Sequence, residues 1–309
     1  MPARLLYTGQ VVVDLVMALD ALPRSGGDVL ARSAAFETGG GFNVMAAARR
    51  SGMATVYLGR HGAGRFGDLA RQAMAAEGID IAAAASTAQD TGLSVALIEP
   101  SAERSFISYV GAEGGLSAED LRGVDVQAED FVFVSGYSLL HECKVSTLLD
   151  WLARLPAGAG MVFDPGPLID SPEASGMPAV LPLITLWTSN AEEALRFTRC
   201  ETIDGAIDRL AHWLRTDALI VVRDGPNGCW IRQGPEVRHV RGFPVTAIDT
   251  NGAGDAHAGV LLAGLASGLS ASQAALRANA AAAIAVTRWG PATAPTAAEV
   301  DALVARAQF

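Results

Sequence analysis

With 309 residues, half of them hydrophobic, the chain can bury a substantial core without disulfide or metal staples. Its 33 acids against 23 bases give a formal charge of −10, which disfavours a broad nucleic-acid surface and points to small-molecule chemistry. Three cysteines (Cys143, Cys200, Cys229) with no CxxC, and five histidines with no pair at zinc-ligand spacing, argue against a disulfide framework and a structural zinc and imply a reduced, cytoplasmic setting.

The start, MPARLLYTGQVVVD, lacks the features of a signal peptide and reads as a first core strand, a nearly continuous apolar run from Leu5 to Val16 of the kind covered on both faces. Asp14 interrupts it. This acid is either a solvent-facing strand end or a carboxylate that binds hydroxyls. Residues 20–37 are polar and irregular, an edge ribbon outside the core. Thr38-Gly39-Gly40-Gly41-Phe42-Asn43 then leads into a helical run, Val44–Ser51. It is either a plain glycine turn or a place where backbone approaches a ligand, with Asn43 able to donate and to accept.

Ala54–Arg60 reads as a strand, and Gly62-Ala63-Gly64-Arg65-Phe66-Gly67 before the next helix is a literal GxGxxG, with Asp80 where a ribose-binding acid would be sought. An NAD(P)-dependent oxidoreductase is therefore a rival reading, although Asp80 falls inside the next strand instead of closing it. Residues 91–110 alternate as two antiparallel strands around a Pro-Ser-Ala-Glu turn, a hairpin inserted between αβ units. Apolar residues at 93–98 and 106–110 cannot all be buried in a ribbon standing off the core. Closure over a substrate, and a homodimer through this lid, would cover them.

Alternation then resumes with strands at 131–135, 160–163, 183–188 and 218–222 and helices at 144–155, 191–197 and 203–215. It implies a doubly wound α/β fold, a mainly parallel sheet flanked by helices, with ligands at the strand C-termini. Asn190 and Glu193 fall at such an end, three apart on one face of a helix start. They suit a phosphate and a water-coated Mg²⁺, or equally a capping box. Arg223-Asp224-Gly225-Pro226-Asn227-Gly228 is a turn after a buried strand, followed by a hairpin of strands 229–232 and 237–240.

The decisive stretch is Asp249-Thr250-Asn251-Gly252-Ala253-Gly254-Asp255, a glycine turn between an apolar run and a helix of roughly residues 254–268. Backbone N–H groups at such a helix start form an anion site. Asp255 within it is either a helix cap or a general base acting on a hydroxyl that attacks a phosphoryl group. Helices at 271–287 and 296–308 finish the chain. The hydrophobic stretch 258–287 is alanine-rich and broken by Ser, Gln, Arg and Asn, so it reads as packed helices, not a membrane span. The sequence holds one lysine, Lys144, in neither a Walker-type loop nor a VAIK-like strand, which argues against P-loop and protein-kinase chemistry.

Five stretches together resemble the ribokinase-like (PfkB) carbohydrate kinase family, from about Leu5 to Val304. DTNGAGD at 249–255 resembles its DTxGAGD signature and TGGGFNVMAAARRSG at 38–52 its N-terminal glycine signature. NAEE at 190–193 is similar to its NxxE, RDGPNG at 223–228 to its nucleotide loop, and NAAAAIAVTRWGPATAPT at 279–296 to its adenine-side ending. The resemblance implies one α/β domain over 1–309, with lid segments at about 14–40 and 91–112, that phosphorylates a sugar or sugar-like alcohol with ATP and Mg²⁺, often with K⁺ near the anion hole. It makes Asp255 the base, with Gly252, Ala253 and Gly254 as anion hole, and gives substrate hydroxyls to Asp14, Gly39, Gly40 and Asn43. Asn190 and Glu193 serve phosphate and Mg²⁺, the Arg223–Gly228 loop (Gly225 and Gly228 above all) the nucleotide, Asn279 the adenine side and Asp249 the monovalent cation. In this light GAGRFG is the family's ordinary strand-to-helix turn. A sugar- or nucleotide-binding protein without turnover is the other alternative, which the intact Asp255 disfavours.

Three features depart from the family pattern. Thr38 and Phe42 stand where a glycine and a small residue are usual, and Arg223 replaces the customary small hydroxyl residue. The segment after Val134 offers no match to the acidic sugar contact of some members.

Overall fold

The structure is a computed structural model that describes residues 2–100, 104–174 and 176–307, apart from the side chains of residues 104, 142 and 143. In chain order its elements are β1 (Arg4–Tyr7), β2 (Val11–Ala18), β3 (Ser33–Gly40), α1 (Phe42–Arg50), β4 (Ala54–Tyr57), α2 (Arg65–Ala76), β5 (Asp80–Ile81), β6 (Leu93–Ile98), β7 (Arg104–Tyr109) and α3 (Ala118–Leu121). There follow β8 (Phe131–Ser135), α4 (Glu142–Leu152), β9 (Gly160–Asp164), α5 (Met177–Val180), β10 (Leu186–Asn190), α6 (Ala191–Thr198), α7 (Ile203–Trp213), β11 (Leu219–Arg223), β12 (Gly228–Gln233), β13 (Glu236–Arg241), α8 (Ala253–Ala266), α9 (Ala271–Ala285) and α10 (Ala297–Arg306).

Nine strands form one sheet in the order β13-β12-β11-β10-β9-β8-β1-β4-β5, parallel except for the β12 and β13 pairings at one end. Strand alternation sorts its side chains to two layers. Leu5, Tyr7 and Phe133 pack with Met45, Met74 and Leu261, whereas Leu6, Val132 and Val134 pack with Leu148, Phe197 and Leu210. That two-sided burial is why these strands read as unbroken apolar runs. From β1 the chain winds one way through β4 and β5 and the other way through β8 to β11, which opens a crevice at the carboxyl ends of the central strands. Asp164, Asn190 and Arg223 are the last residues of their strands and lie along it.

The first strand is not one strand. It stops at Tyr7, whose ring lies where a side chain on Gly9 would go, at 2.5 Å, and the chain crosses into a second sheet at Val11. This sheet, in the order β3-β2-β6-β7, is the lid, with antiparallel outer pairs and a parallel β2–β6 pair. Asp14 therefore belongs to the lid and not to the end of a core strand, and part of the stretch expected to be irregular is β3. The turn at 101–103 lies outside the described residues.

Buried polar groups fix the crossings into the lid. The Glu113 carboxylate accepts from Gly92 N and Gly111 N at 2.8 Å each, and the buried Lys144 donates to the carbonyls of Gly9 at 3.4 Å and Glu113 at 3.5 Å. The lone lysine thus ties α4 to both ends of the lid. Among the described residues no helix is long and apolar enough to cross a membrane.

Candidate active site

Gly252 stands just before helix α8 at its N-cap, with a left-handed φ of +73°, and a Cβ there would fall 1.8 Å from the Pro291 carbonyl. Only glycine fits this turn. No side chain caps the helix, so Asp255, third within it, is not its cap. Its Oδ2 accepts instead from Asn43 Nδ2 of α1 at 3.0 Å. The two helices meet because Gly259 presses on α1: a Cβ there would lie 2.5 Å from Val44 O and 2.6 Å from Ala47 Cβ. The small residues of both helices are therefore what bring the amide to the carboxylate.

Burial pushes the Asp255 carboxyl up to about 6; the Asn43 hydrogen bond and Arg223 oppose the shift, and Asp164 and Glu193 add to it. Asn43 is buried and its Oδ1 has no hydrogen-bond partner. A buried acceptor in that state calls for a donor such as a substrate hydroxyl.

Across the crevice Arg223 gathers the strand ends. Nη1 lies 3.3 Å from Asp164 Oδ2, 3.1 Å from Thr188 Oγ1 and 3.4 Å from Gly254 O, while Nη2 lies 3.6 Å from Glu193 Oε2. Glu193 and Asn190 do form the capping box: Asn190 Oδ1 accepts from Glu193 N at 2.7 Å, and Glu193 Oε2 from Asn190 N at 2.8 Å. Capping and site chemistry are compatible here, because the box holds Glu193 facing Arg223. Burial and then Asp164 raise the Glu193 carboxyl above its ordinary value, against the pull of Arg223.

The remaining expected residues lie at the lid end of α1 and along the β11–β13 side of the sheet. Asp14 fills the space above Gly39, where a Cβ would meet its Oδ2 at 2.1 Å. Gly40 adjoins this pair, and Asn43 follows three residues on. At the other end Gly225 and Gly228 shape the β11–β12 turn, and the buried Asn279 donates to Val240 O at 2.9 Å and Arg241 O at 3.1 Å while its Oδ1 meets His257 Nε2 at 3.1 Å. The Asn279 amide is spent on protein partners, and His257 faces it instead of Asp255. Asp249 accepts from Asn251 N at 2.9 Å and Gly290 N at 3.0 Å, which pins the glycine turn to the 290 loop.

Asp164, Thr188 and Tyr137 join the site without being among the residues expected from the sequence. An acid closing a core strand, in Asp164-Pro165, was the available signal for the first. Tyr137 lies in a 3₁₀ turn after β8, in the segment without a family match, and burial followed by Glu193, Asp164 and Asp255 raises its hydroxyl above the ordinary value. Thr38 and Phe42 line a neighbouring cavity of about 460 Å³ with Phe36, Trp289 and Pro291. Asp14, Asn43 and Asp255 are not among its walls.

The GxGxxG turn is closed. Phe66 N and Gly67 N, at the start of α2, donate to the Asp90 carboxylate at 3.0 and 2.9 Å, and Gly62 N donates to Thr91 Oγ1 at 2.9 Å. Burial would raise the Asp90 carboxyl, but the backbone donors outweigh it and leave it below its ordinary value. An internal carboxylate thus sits where a dinucleotide pyrophosphate would bind.

Residues 3–297 match the pfkB family carbohydrate kinase. The chain belongs to this family, and its enzyme class is carbohydrate kinase. It is 33% identical over 302 residues to the uncharacterized sugar kinase YegV of Escherichia coli strain K12, covering 96% of this chain and 92% of that one. Ribokinase of Haemophilus influenzae is 28% identical over 290 residues, 91% of this chain and 92% of its own. In fold, the Arabidopsis thaliana ribokinase solved with ribose and ATP superposes with a TM-score of 0.79 over all of both chains, at 20% identity. The ribokinase-like architecture with a lid is thereby shown.

Proposed function

We propose that the chain transfers the γ-phosphoryl group of ATP to a hydroxyl of a sugar or sugar-like alcohol held between the lid and α8. The observation that carries this reading is the Asp255–Asn43 pair at an uncapped helix N-terminus, with a buried acceptor on Asn43 left for a hydroxyl. Asp255 Oδ accepts the proton of the attacking hydroxyl. The N–H groups of Gly252, Ala253 and Gly254 face the charge that develops on the transferring group. Asp14 and the backbone of Gly39 and Gly40 orient the substrate from the lid side. Asn190 and the Gly225–Gly228 turn border the nucleotide, and Asn279 sets the wall of its base side.

Among the described residues no cluster of three or more His, Cys, Asp or Glu side chains could enclose a metal. Asp164 and Glu193 do fit Mg²⁺ held through waters and substrate phosphates, the usual manner for this ion. Mg²⁺ bound there supplies charge neutralisation to the phosphates. For K⁺ the support is the buried Asp249 carboxylate beside the glycine turn.

Thermal denaturation tests the reading, because a ligand that binds only the native state adds ~2.7 kcal/mol of stability at a hundredfold excess over its Kd. ADP with Mg²⁺ should raise the melting temperature, and NAD or NADP should not. A dinucleotide shift without an ADP shift contradicts it.

The outer lid strand leaves Phe106 (55%), Ile107 (66%) and Tyr109 (67%) exposed, which supports a homodimer through the lid. Light scattering at micromolar concentration should give twice the chain mass, and a monomer with and without ligands removes this part.

A further inference from the structure

Arg223 is placed oddly for a structural arginine. Arg4 and Asp130 show what a structural pair looks like in this chain: Nε and Nη2 of one side chain grip both oxygens of one carboxylate, at 3.1 and 2.6 Å. Arg223 instead spreads four contacts of 3.1 to 3.6 Å, two of them to the separate carboxylates of Asp164 and Glu193 at 3.3 and 3.6 Å, and grips neither. Its guanidinium also lies against Gly254, where an added Cβ would meet Cζ at 3.3 Å. That is the N-terminal end of α8, where the helix dipole disfavours a cation unless an anion accompanies it. Asp164 and Glu193 are those anions, and they are the same two side chains that fit Mg²⁺.

We propose that Arg223 is the resident cation of the phosphoryl-transfer site. Between Asp164 and Glu193 it holds the place of a divalent ion, so free metal is repelled and the site accepts metal only together with nucleotide. With metal and nucleotide bound, Asp164 and Glu193 would no longer need the guanidinium, which would be free to turn toward the phosphoryl group beside Gly254 and offset the charge that builds up during transfer. The contacts suit an exchange of this kind, since they are spread over four partners with none shorter than 3.1 Å. The proposal rests on the phosphotransferase reading, and it explains why a guanidinium occupies a position where the family pattern has a small hydroxyl.

The test uses the nucleotide-free full chain and Mn²⁺ as probe, with free Mn²⁺ read by electron paramagnetic resonance. Arg223→Met should bind Mn²⁺ at least tenfold more tightly than the unsubstituted protein, because a full positive charge has left the pair of carboxylates. Its kcat should fall at least a hundredfold, while ADP with Mg²⁺ still raises its melting temperature. Arg223→Gln, also neutral, carries the same expectations and serves where the Met variant does not fold. A purely structural arginine predicts a lower melting temperature with no gain in Mn²⁺ affinity, and equal affinity in the variant and the unsubstituted protein overturns the proposal. Absence of an ADP shift in the unsubstituted protein would instead show that the phosphotransferase reading itself has failed.

Discussion

Asp255→Asn should fold, bind ADP as before and lose turnover by a factor on the order of 10²–10⁴, the range for removal of a general base. The substitution is nearly isosteric, and the new amide oxygen can still accept from Asn43 Nδ2, which meets Oδ2 at 3.0 Å in the native protein. Stability should hold or rise. The native carboxyl is pushed up to about 6 by burial, so the folded state retains a proton that the unfolded chain releases at lower pH. An acid of that kind costs stability as pH rises from about 4 through 6, and asparagine removes the cost. The same shift sets the activity profile of the unsubstituted protein. A base must be ionised to accept a proton, so kcat/KM should fall as pH drops below about 6, with its acid limb set by Asp255. Residual turnover of the Asn variant should lack that limb. Circular dichroism, ADP titration and a pH series check the three parts.

Gly252→Ala should lower turnover on the order of 10²–10³-fold, as for the loss of an oxyanion donor. Two effects meet at this residue. A side chain at φ +73° costs about 1–2 kcal/mol, and its Cβ would lie 1.8 Å from Pro291 O, so the glycine turn or the 290 loop must move. Gly268 separates them, because its φ is +85° with open space around the added Cβ. Gly268→Ala carries the backbone strain without the clash and should lose stability but keep its activity. Comparable turnover in both variants would mean that the Gly252 backbone does not form an anion site.

The main sheet was legible because its strands are buried on both faces and bounded by turn residues. β8, predicted at 131–135, is found at Phe131–Ser135, and the lid hairpin was visible from its alternation. The break between β1 and β2 was not. Thr8-Gly9-Gln10 was the available signal inside the otherwise apolar run from Leu5 to Val16, and the chain changes sheets there, where the Tyr7 ring occupies the space that a side chain on Gly9 would take. The same limit governs the site. Asp255 and the glycine turn are contiguous in sequence and could be read from it, as could the Asn190–Glu193 pair. Asp164, Thr188 and Arg223 converge only because β9, β10 and β11 are neighbours in the sheet, and the partner of Asp255 lies 212 positions away. The GxGxxG turn shows the converse: its pattern is complete, but Asp90, from outside the motif, closes it.

The central claim is that this crevice phosphorylates an alcohol with Asp255 as the base, and it is tested most directly by ADP release from ATP and Mg²⁺ over pentoses, hexoses, ketoses and nucleosides, with the unsubstituted protein and Asp255→Asn side by side. The account predicts turnover of at least one of these alcohols by the former, and at least a hundredfold less by the folded, ADP-binding variant. A variant that keeps most of the turnover would contradict it.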